Sequence, residues 1–130
     1  MAKLDRAVRE PARAPNFATL SVILRSGVPM THVMWVDVDD DHVLINTEVH
    51  RAKFAAVQRD PRVTVTIWRL DDPYTSAEVR GRVVETVQGP EAGAHIDRLS
   101  RKYRGKDYDE SAIMSERVIL RSAPDTVRTH

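Results

Sequence analysis

Ser76-Ala77-Glu78-Val79-Arg80-Gly81-Arg82-Val83 is the stretch that decides the fold. Ala77, Val79, Gly81 and Val83 fall on one face of an extended chain, with Glu78, Arg80 and Arg82 on the other. That period of two marks a half-buried strand. The strand runs from Tyr74 to Val87, after a turn at Leu70 to Pro73. A glycine inside so regular a strand marks a bulge or a close backbone approach.

Further strands flank it. Phe17 to Leu24 places Ala18, Leu20, Val22 and Leu24 on one face, and Ser26-Gly27-Val28-Pro29 turns the chain. Thr31 to Val38 forms a second strand, and the acidic turn Asp39-Asp40-Asp41 leads into a third from Val43 to Thr47. Three strands so close in sequence imply an antiparallel meander. Arg62 to Trp68 and Glu116 to Arg121 complete the set. Helical character appears twice. His50 to Arg59 ends against Pro61. A second helix opens at Pro90, carries Ala92, His95, Ile96, Leu99 and Tyr103 at helical spacing, and stops at Gly105. The expectation is mainly β (α+β): about six antiparallel strands closed into a barrel, with two flanking helices. Residues 1–15 read as a flexible arm, 16–122 as the folded domain and 123–130 as a polar tail.

Composition narrows the function. The 130 residues suit one domain, and 42% hydrophobic with 30% charged residues disfavours disorder. Twenty basic residues against 19 acidic give +1, with no basic excess for nucleic acid. Cysteine is absent, which excludes a disulfide scaffold and a thiolate nucleophile. No apolar run approaches a membrane span, and the expected location is the cytoplasm. The five histidines have no metal-ligand spacing, and His95 on an apolar helix stripe reads as a hydrogen-bonded core residue. No catalytic side chain and no metal site stand out.

One segment carries chemistry: Asn46-Thr47-Glu48-Val49-His50-Arg51-Ala52-Lys53. A strand ends in a hydroxyl residue, and two cations stand where a helix begins. Hydroxyl, cations and free helix N–H groups make a phosphate site. The alternative is an ordinary surface helix, although the helix dipole disfavours cations at that end.

With those residues in hand, the chain resembles the split-barrel flavin and deazaflavin proteins related to pyridoxamine 5′-phosphate oxidase. The carriers are Pro29-Met30-Thr31-His32-Val33-Met34-Trp35, Leu44-Ile45-Asn46-Thr47, Arg51-Ala52-Lys53, Arg59-Asp60-Pro61-Arg62-Val63, and Tyr74 with Ala77 to Val83. Within the family it looks most like the branch that uses coenzyme F-420, a deazaflavin typical of actinobacteria. Sixteen arginines against four lysines fit a GC-rich genome. The resemblance implies an FMN-binding type of split barrel. It also implies that Thr47, Arg51 and Lys53 meet the cofactor phosphate, with Asn46 beside Thr47 and Ala52 among the cofactor-binding residues. The tricyclic ring would lie along Thr31, His32, Val33 and Met34. It further implies a homodimer with cofactor at the interface, to which Tyr74 gives an aromatic contact across to the partner; a locally packed turn tyrosine is the alternative. Trp35 either flanks the substrate pocket or fills the barrel. The expected function is hydride transfer between F-420 and an electron-poor small-molecule acceptor. FMN-dependent chemistry, or a non-catalytic binder of flavin, deazaflavin or haem, are the alternatives.

Overall fold

The computed structural model describes residues 2–130. Seven strands form one curled antiparallel sheet. They are β1 (Phe17–Ile23), β2 (Pro29–Trp35), β3 (Asp37–Val38), β4 (Val43–Glu48), β5 (Arg62–Arg69), β6 (Asp72–Gln88) and β7 (Arg117–Thr129), in the order β2-β1-β5-β6-β7-β4-β3. Three helices accompany them: α1 (Arg6–Arg13), α2 (Ala52–Arg59) and α3 (Pro90–Arg104). The curled sheet is the half-barrel that the alternation of apolar residues demanded, with one more strand and one more helix than expected.

The expected meander does not form. β1 and β2 pair throughout, but the chain then leaves β2 at Val36 and starts β3 on the opposite edge of the sheet. The two outermost strands are thus joined by a single residue. Side chains of α3 make this possible by taking both polar groups of Val36. Its N–H donates to the Tyr103 hydroxyl (3.1 Å), and its carbonyl accepts from Lys102 Nζ (2.6 Å). Lys102 also donates to the Ala12 carbonyl (2.8 Å), and the Tyr103 hydroxyl donates to the Asn16 carbonyl. Burial pushes the Lys102 ammonium down to about 8 and the Tyr103 phenol up to about 12.

The long strands β6 and β7 carry the sheet from one half to the other. Residues 77–82 of β6 pair with β5 on one side and with 123–129 of β7 on the other. Residues 117–122 of β7 then pair with β4. The expected polar tail is therefore half of a strand, and Pro124, which has no N–H to donate, fits because the β4 ladder ends at Ser122. The expected flexible arm is also structured. Asp5 caps α1 by accepting from Ala7 N–H (3.0 Å), and Val8 and Ala12 are fully buried in the core with Leu4. Pro11 lies in the last turn of α1.

The barrel core gathers Leu20, Val22, Val43, Ile45, Val65, Ile67, Ala77, Val79 and Leu120, with α2 contributing Phe54, Ala56 and Val57. Ala77 and Val79 therefore face inward. On the other side of β4 and β7, Leu44 and Ile119 pack with Ala92 of α3 in a second, smaller core. Both faces of β4 are buried, which is why all six of its residues are covered.

Gly81 is the close approach its position implied. A Cβ there would lie 2.0 Å from the Ala123 carbonyl oxygen, at a register shift between β6 and β7. The obstacle is backbone, which cannot turn aside. Replacing Gly81 by Ala is expected to destabilise the fold by about 3 kcal/mol, the upper end of what overpacking costs. The check is a urea midpoint shift at constant m-value; an unchanged midpoint would show that the strand yields freely.

Candidate functional site

The split between β2 and β4 opens a cleft of about 270 Å³. Val33, Met34 and Trp35 of β2 form one wall, Asn46 and Arg117 another, and Ile96, Leu99 and Arg104 of α3 close it together with Tyr108. Its walls are flat and aromatic. Phe17, Tyr103 and Trp35 stack in series, with centroids 5.6 and 5.0 Å apart, and Tyr108 stands edge-on to Trp35 at 6.2 Å. Two guanidiniums lie on aromatic faces, Arg104 on Trp35 and Arg117 on Tyr108, each at 5.2 Å.

A buried polar network fixes this wall. Asn46 Nδ2 donates to the Ala92 carbonyl and to His95 Nδ1, each at 3.0 Å. His95 Nε2 donates to Asp37 Oδ2 at 3.0 Å. Burial works to raise the Asp37 carboxyl, but the His95 bond, the Val38 N–H and the Lys102 charge outweigh it and hold the group ionised below its ordinary range. An ionised carboxylate only accepts, so the imidazole proton sits on Nε2, leaving Nδ1 as acceptor for the Asn46 amide. On its other side Asn46 Oδ1 accepts from Arg117 Nε (2.8 Å), and Arg117 Nη1 donates to Glu48 Oε1 (3.1 Å). Glu48 Oε2 accepts from the backbone N–H groups of Met114 (2.9 Å) and Ser115 (2.7 Å) and from the Ser115 hydroxyl (3.2 Å). His95 is thus the core histidine its stripe implied, and Asn46 is saturated by protein partners.

Arg51 and Lys53 lie near Arg117 but do not line the cleft. Arg51 is the N-cap residue of α2 and makes no side-chain cap bond, and Lys53 is in its first turn. Lys53 is only 8% exposed, contrary to the exposed side chain that a surface helix would carry. Burial lowers its ammonium, and the Arg51 and Arg117 charges lower it further. Among the described residues neither Arg51 nor Lys53 has a carboxylate within 4 Å. Three cations therefore share one neighbourhood with a single carboxylate, Glu48, which is already saturated. That arrangement is unfavourable unless an anion enters.

The other sequence-derived residues are distributed as follows. Thr47 is buried in β4, on the barrel face with Val43 and Ile45, so its side chain and that of Asn46 point to opposite sides of the sheet. Thr31, His32 and Val33 are exposed on edge strand β2, Val33 at 64%, and the Thr31 hydroxyl bonds the Ser21 hydroxyl at 2.7 Å. Val33, Met34 and Trp35 line the cleft, and Thr31 and His32 do not. Ala52 is exposed at the start of α2. Tyr74 is 91% exposed beside the β5–β6 turn and does not line the cleft. Arg62, Arg80 and Arg82 are paired with Asp60, Glu78 and Asp125, and Arg59 bonds the Ile23 carbonyl, so they form no free basic groove. Nothing local in the sequence marks Arg117, Arg104 or Tyr108; an arginine opening a strand carries no sign that its side chain is nine-tenths buried.

The chain matches the family model described as pyridoxamine 5′-phosphate oxidase over residues 4–130. It belongs to that family. No curated protein matches it. Among solved structures, an F-420 reductase is 25% identical, covering 96% of this chain and 98% of its own, with a TM-score of 0.84. A conserved hypothetical protein of Mycobacterium tuberculosis is 26% identical over 97% and 84% of the two chains, with a TM-score of 0.73. A putative pyridoxamine 5′-phosphate oxidase of Listeria innocua shares the fold at 18% identity, over 87% and 86%, with a TM-score of 0.63. The fold is thus a split barrel of a family with flavin- and deazaflavin-dependent oxidoreductases. Among the described residues no helix is long and apolar enough to cross a membrane.

Glu48 gives a pH signature. Burial tends to raise its carboxyl, but the Ser115 and Met114 donors and the Arg117 charge hold it below the ordinary 4.5. Its contribution is therefore complete above that value and is lost as the pH falls below it. Replacing Glu48 by Ala is expected to cost about 3–5 kcal/mol at neutral pH, because Arg117 is left buried and unpaired. The gap to wild type should narrow in denaturant titrations carried below pH 4.5. A gap independent of pH would show that the carboxylate charge is not what the site uses.

Proposed function

We propose that the protein is an oxidoreductase that transfers hydride between coenzyme F-420 and a small, electron-poor organic acceptor. One observation carries this reading: an aromatic-walled cleft in the barrel split is lined by Arg117, whose charge reaches the buried Lys53 together with that of Arg51. The near-complete mutual coverage with an F-420 reductase supports the deazaflavin over FMN. The residues fit such a group. The cleft is near the lower limit of small-molecule sites, about 300 Å³, and its flat walls suit a ring. Arg51, Lys53 and the open N–H groups of α2 suit a phosphate.

The bound cofactor supplies the hydride chemistry. The chain's own residues bind and orient it. Val33, Met34 and Trp35 offer the ring an extended backbone and apolar surface. Lys53 and Arg51 hold the phosphate, and Asn46 acts by holding Arg117 in place. The cleft of one chain leaves Val33 exposed, and Tyr74 stands free in solvent. A second copy closing over β2 would cover the ring, so the working form is a symmetric homodimer. Sedimentation as a stable monomer with cofactor still bound would overturn that assembly.

The phosphate reading has an unusual stability signature. Charged Lys53 is penalised in the ligand-free fold, so the Lys53→Met protein should be at least as stable as wild type. Its cofactor affinity should nevertheless fall about 10- to 100-fold, as should that of Arg51→Ala. Fluorescence titration with F-420 and FMN side by side tests the choice. Tighter binding of F-420 is expected, with an advantage that shrinks as salt screens its glutamate tail. A tightly held yellow flavin that F-420 cannot displace would favour the FMN reading instead.

A further inference from the structure

Residues 105–116 join α3 to β7 and contribute Tyr108 to the cleft wall. The chain leaves α3 at Gly105, in the left-handed conformation (φ 75°), and its one regular piece is a short 3-10 turn at Glu110–Ala112. The segment is exposed except at Tyr108, Ile113 and Ser115, and among the described residues none of it belongs to either apolar core. It is fastened near its two ends. At the first, the Tyr108 N–H donates to Asp97 Oδ1 of α3 (3.0 Å), and Asp107 pairs with Arg101. At the second, the Met114 N–H, the Ser115 N–H and the Ser115 hydroxyl all donate to Glu48 Oε2, and the Val49 N–H donates to the Glu116 carbonyl (3.0 Å). Among the described residues, 109–113 hydrogen-bond only one another.

The other walls are held more firmly. Val33, Met34 and Trp35 belong to β2, which pairs with β1 along its whole length. Asn46 is in β4, covered on both faces, and Ile96 and Leu99 of α3 are buried. A segment with few buried apolar contacts opens at the least cost. Room is also short. A cleft of about 270 Å³ lies below the roughly 300–1,000 Å³ usual for small-molecule sites, and hydride transfer needs ring and acceptor together. Tyr108 stands edge-on to Trp35 at 6.2 Å, so moving the segment changes the space beside Trp35. We propose that residues 105–116 are a strap that lifts to admit the cofactor ring and closes Tyr108 against it, with Glu48 as the latch. This rests on the cofactor reading above. Glu48 suits the role because its Oε1 holds Arg117 (3.1 Å), whose guanidinium lies on the Tyr108 ring, while Oε2 holds the strap.

The test is stopped-flow binding of F-420 and of FMN to the whole protein, followed by cofactor fluorescence, in wild type, Asp97→Ala and Ser115→Ala. Each variant removes a fastening side chain and leaves the residues lining the cleft unchanged. If the strap must lift, association and dissociation should both quicken about 3- to 10-fold, with little change in equilibrium affinity. A fixed wall, once loosened, would speed dissociation alone. Hydrogen exchange of the free protein gives a reading that needs no ligand: the amides of Tyr108, Met114 and Ser115 should exchange well before those of β4. If Ser115→Ala does not fold, the half-buried Asp97 carries the test through Asp97→Ala. Exchange as slow as that of β4, or an association rate unmoved in Asp97→Ala, overturns the strap and leaves the cofactor reading intact. Failure to bind either cofactor overturns both.

Discussion

The barrel closes through one residue. Val36 is all that separates strands lying at opposite edges of the sheet, and a peptide unit at such a crossing cannot join either ladder. Its N–H and carbonyl are satisfied by Tyr103 and Lys102, successive residues near the end of α3. The same two side chains hold the carbonyls of Asn16 and Ala12, so α3 also fastens the start of β1 and the end of α1. A buried lysine is costly in general, and the lowered ammonium records that cost. It is tolerated here because the Ala12 and Val36 carbonyls would otherwise lose their donor.

From this crossing the cleft follows. Once β3 is placed beside β4, the outer face of β4 lies beneath α3, and Leu44, Asn46 and Glu48 must be covered. Leu44 meets Ala92 and Ile119. Asn46 and Glu48 instead build a chain of hydrogen bonds from Asp37 through His95 to Arg117 and the Met114–Ser115 backbone. The network ends at the Arg117 guanidinium, which lies on the Tyr108 ring and lines the cleft. Structural satisfaction and ligand readiness are thus properties of one set of bonds: the partners that make Arg117 tolerable in a buried place also aim it.

The binding end works on the opposite principle. Arg51, Lys53 and Arg117 are near neighbours of like charge, with one saturated carboxylate among them. Such strain is retained where ligand binding relieves it, and its cost falls on the ligand-free protein. The remaining arginines that crowd the sequence near this region are neutralised in local pairs, so the charge offered to a ligand is narrower than the composition implies.

Strand and helix identities were legible in the sequence, because inward and outward residues alternate in β1, β5 and β6 and recur at helical spacing in α3. Gly81 could be read as a close approach, since only a glycine fits where a strand meets backbone. The Arg51–Lys53 pair could be read as an anion site, since cations at a helix start oppose its dipole. Local pattern does not reach further. Nothing near Val36 announces that its partners come from residues 102 and 103, so a meander was the natural expectation. Residues 123–129 look like a tail because a strand lying along one neighbour needs few apolar residues of its own. The burial of Lys53, the pairing of Arg62, Arg80 and Arg82, and the engagement of Arg117 by Asn46 and Glu48 are decided by contacts between residues distant in the chain. Side-chain type and spacing determine what each segment can be; which charges are cancelled and which are left to a ligand depends on the neighbours that only the closed barrel brings together.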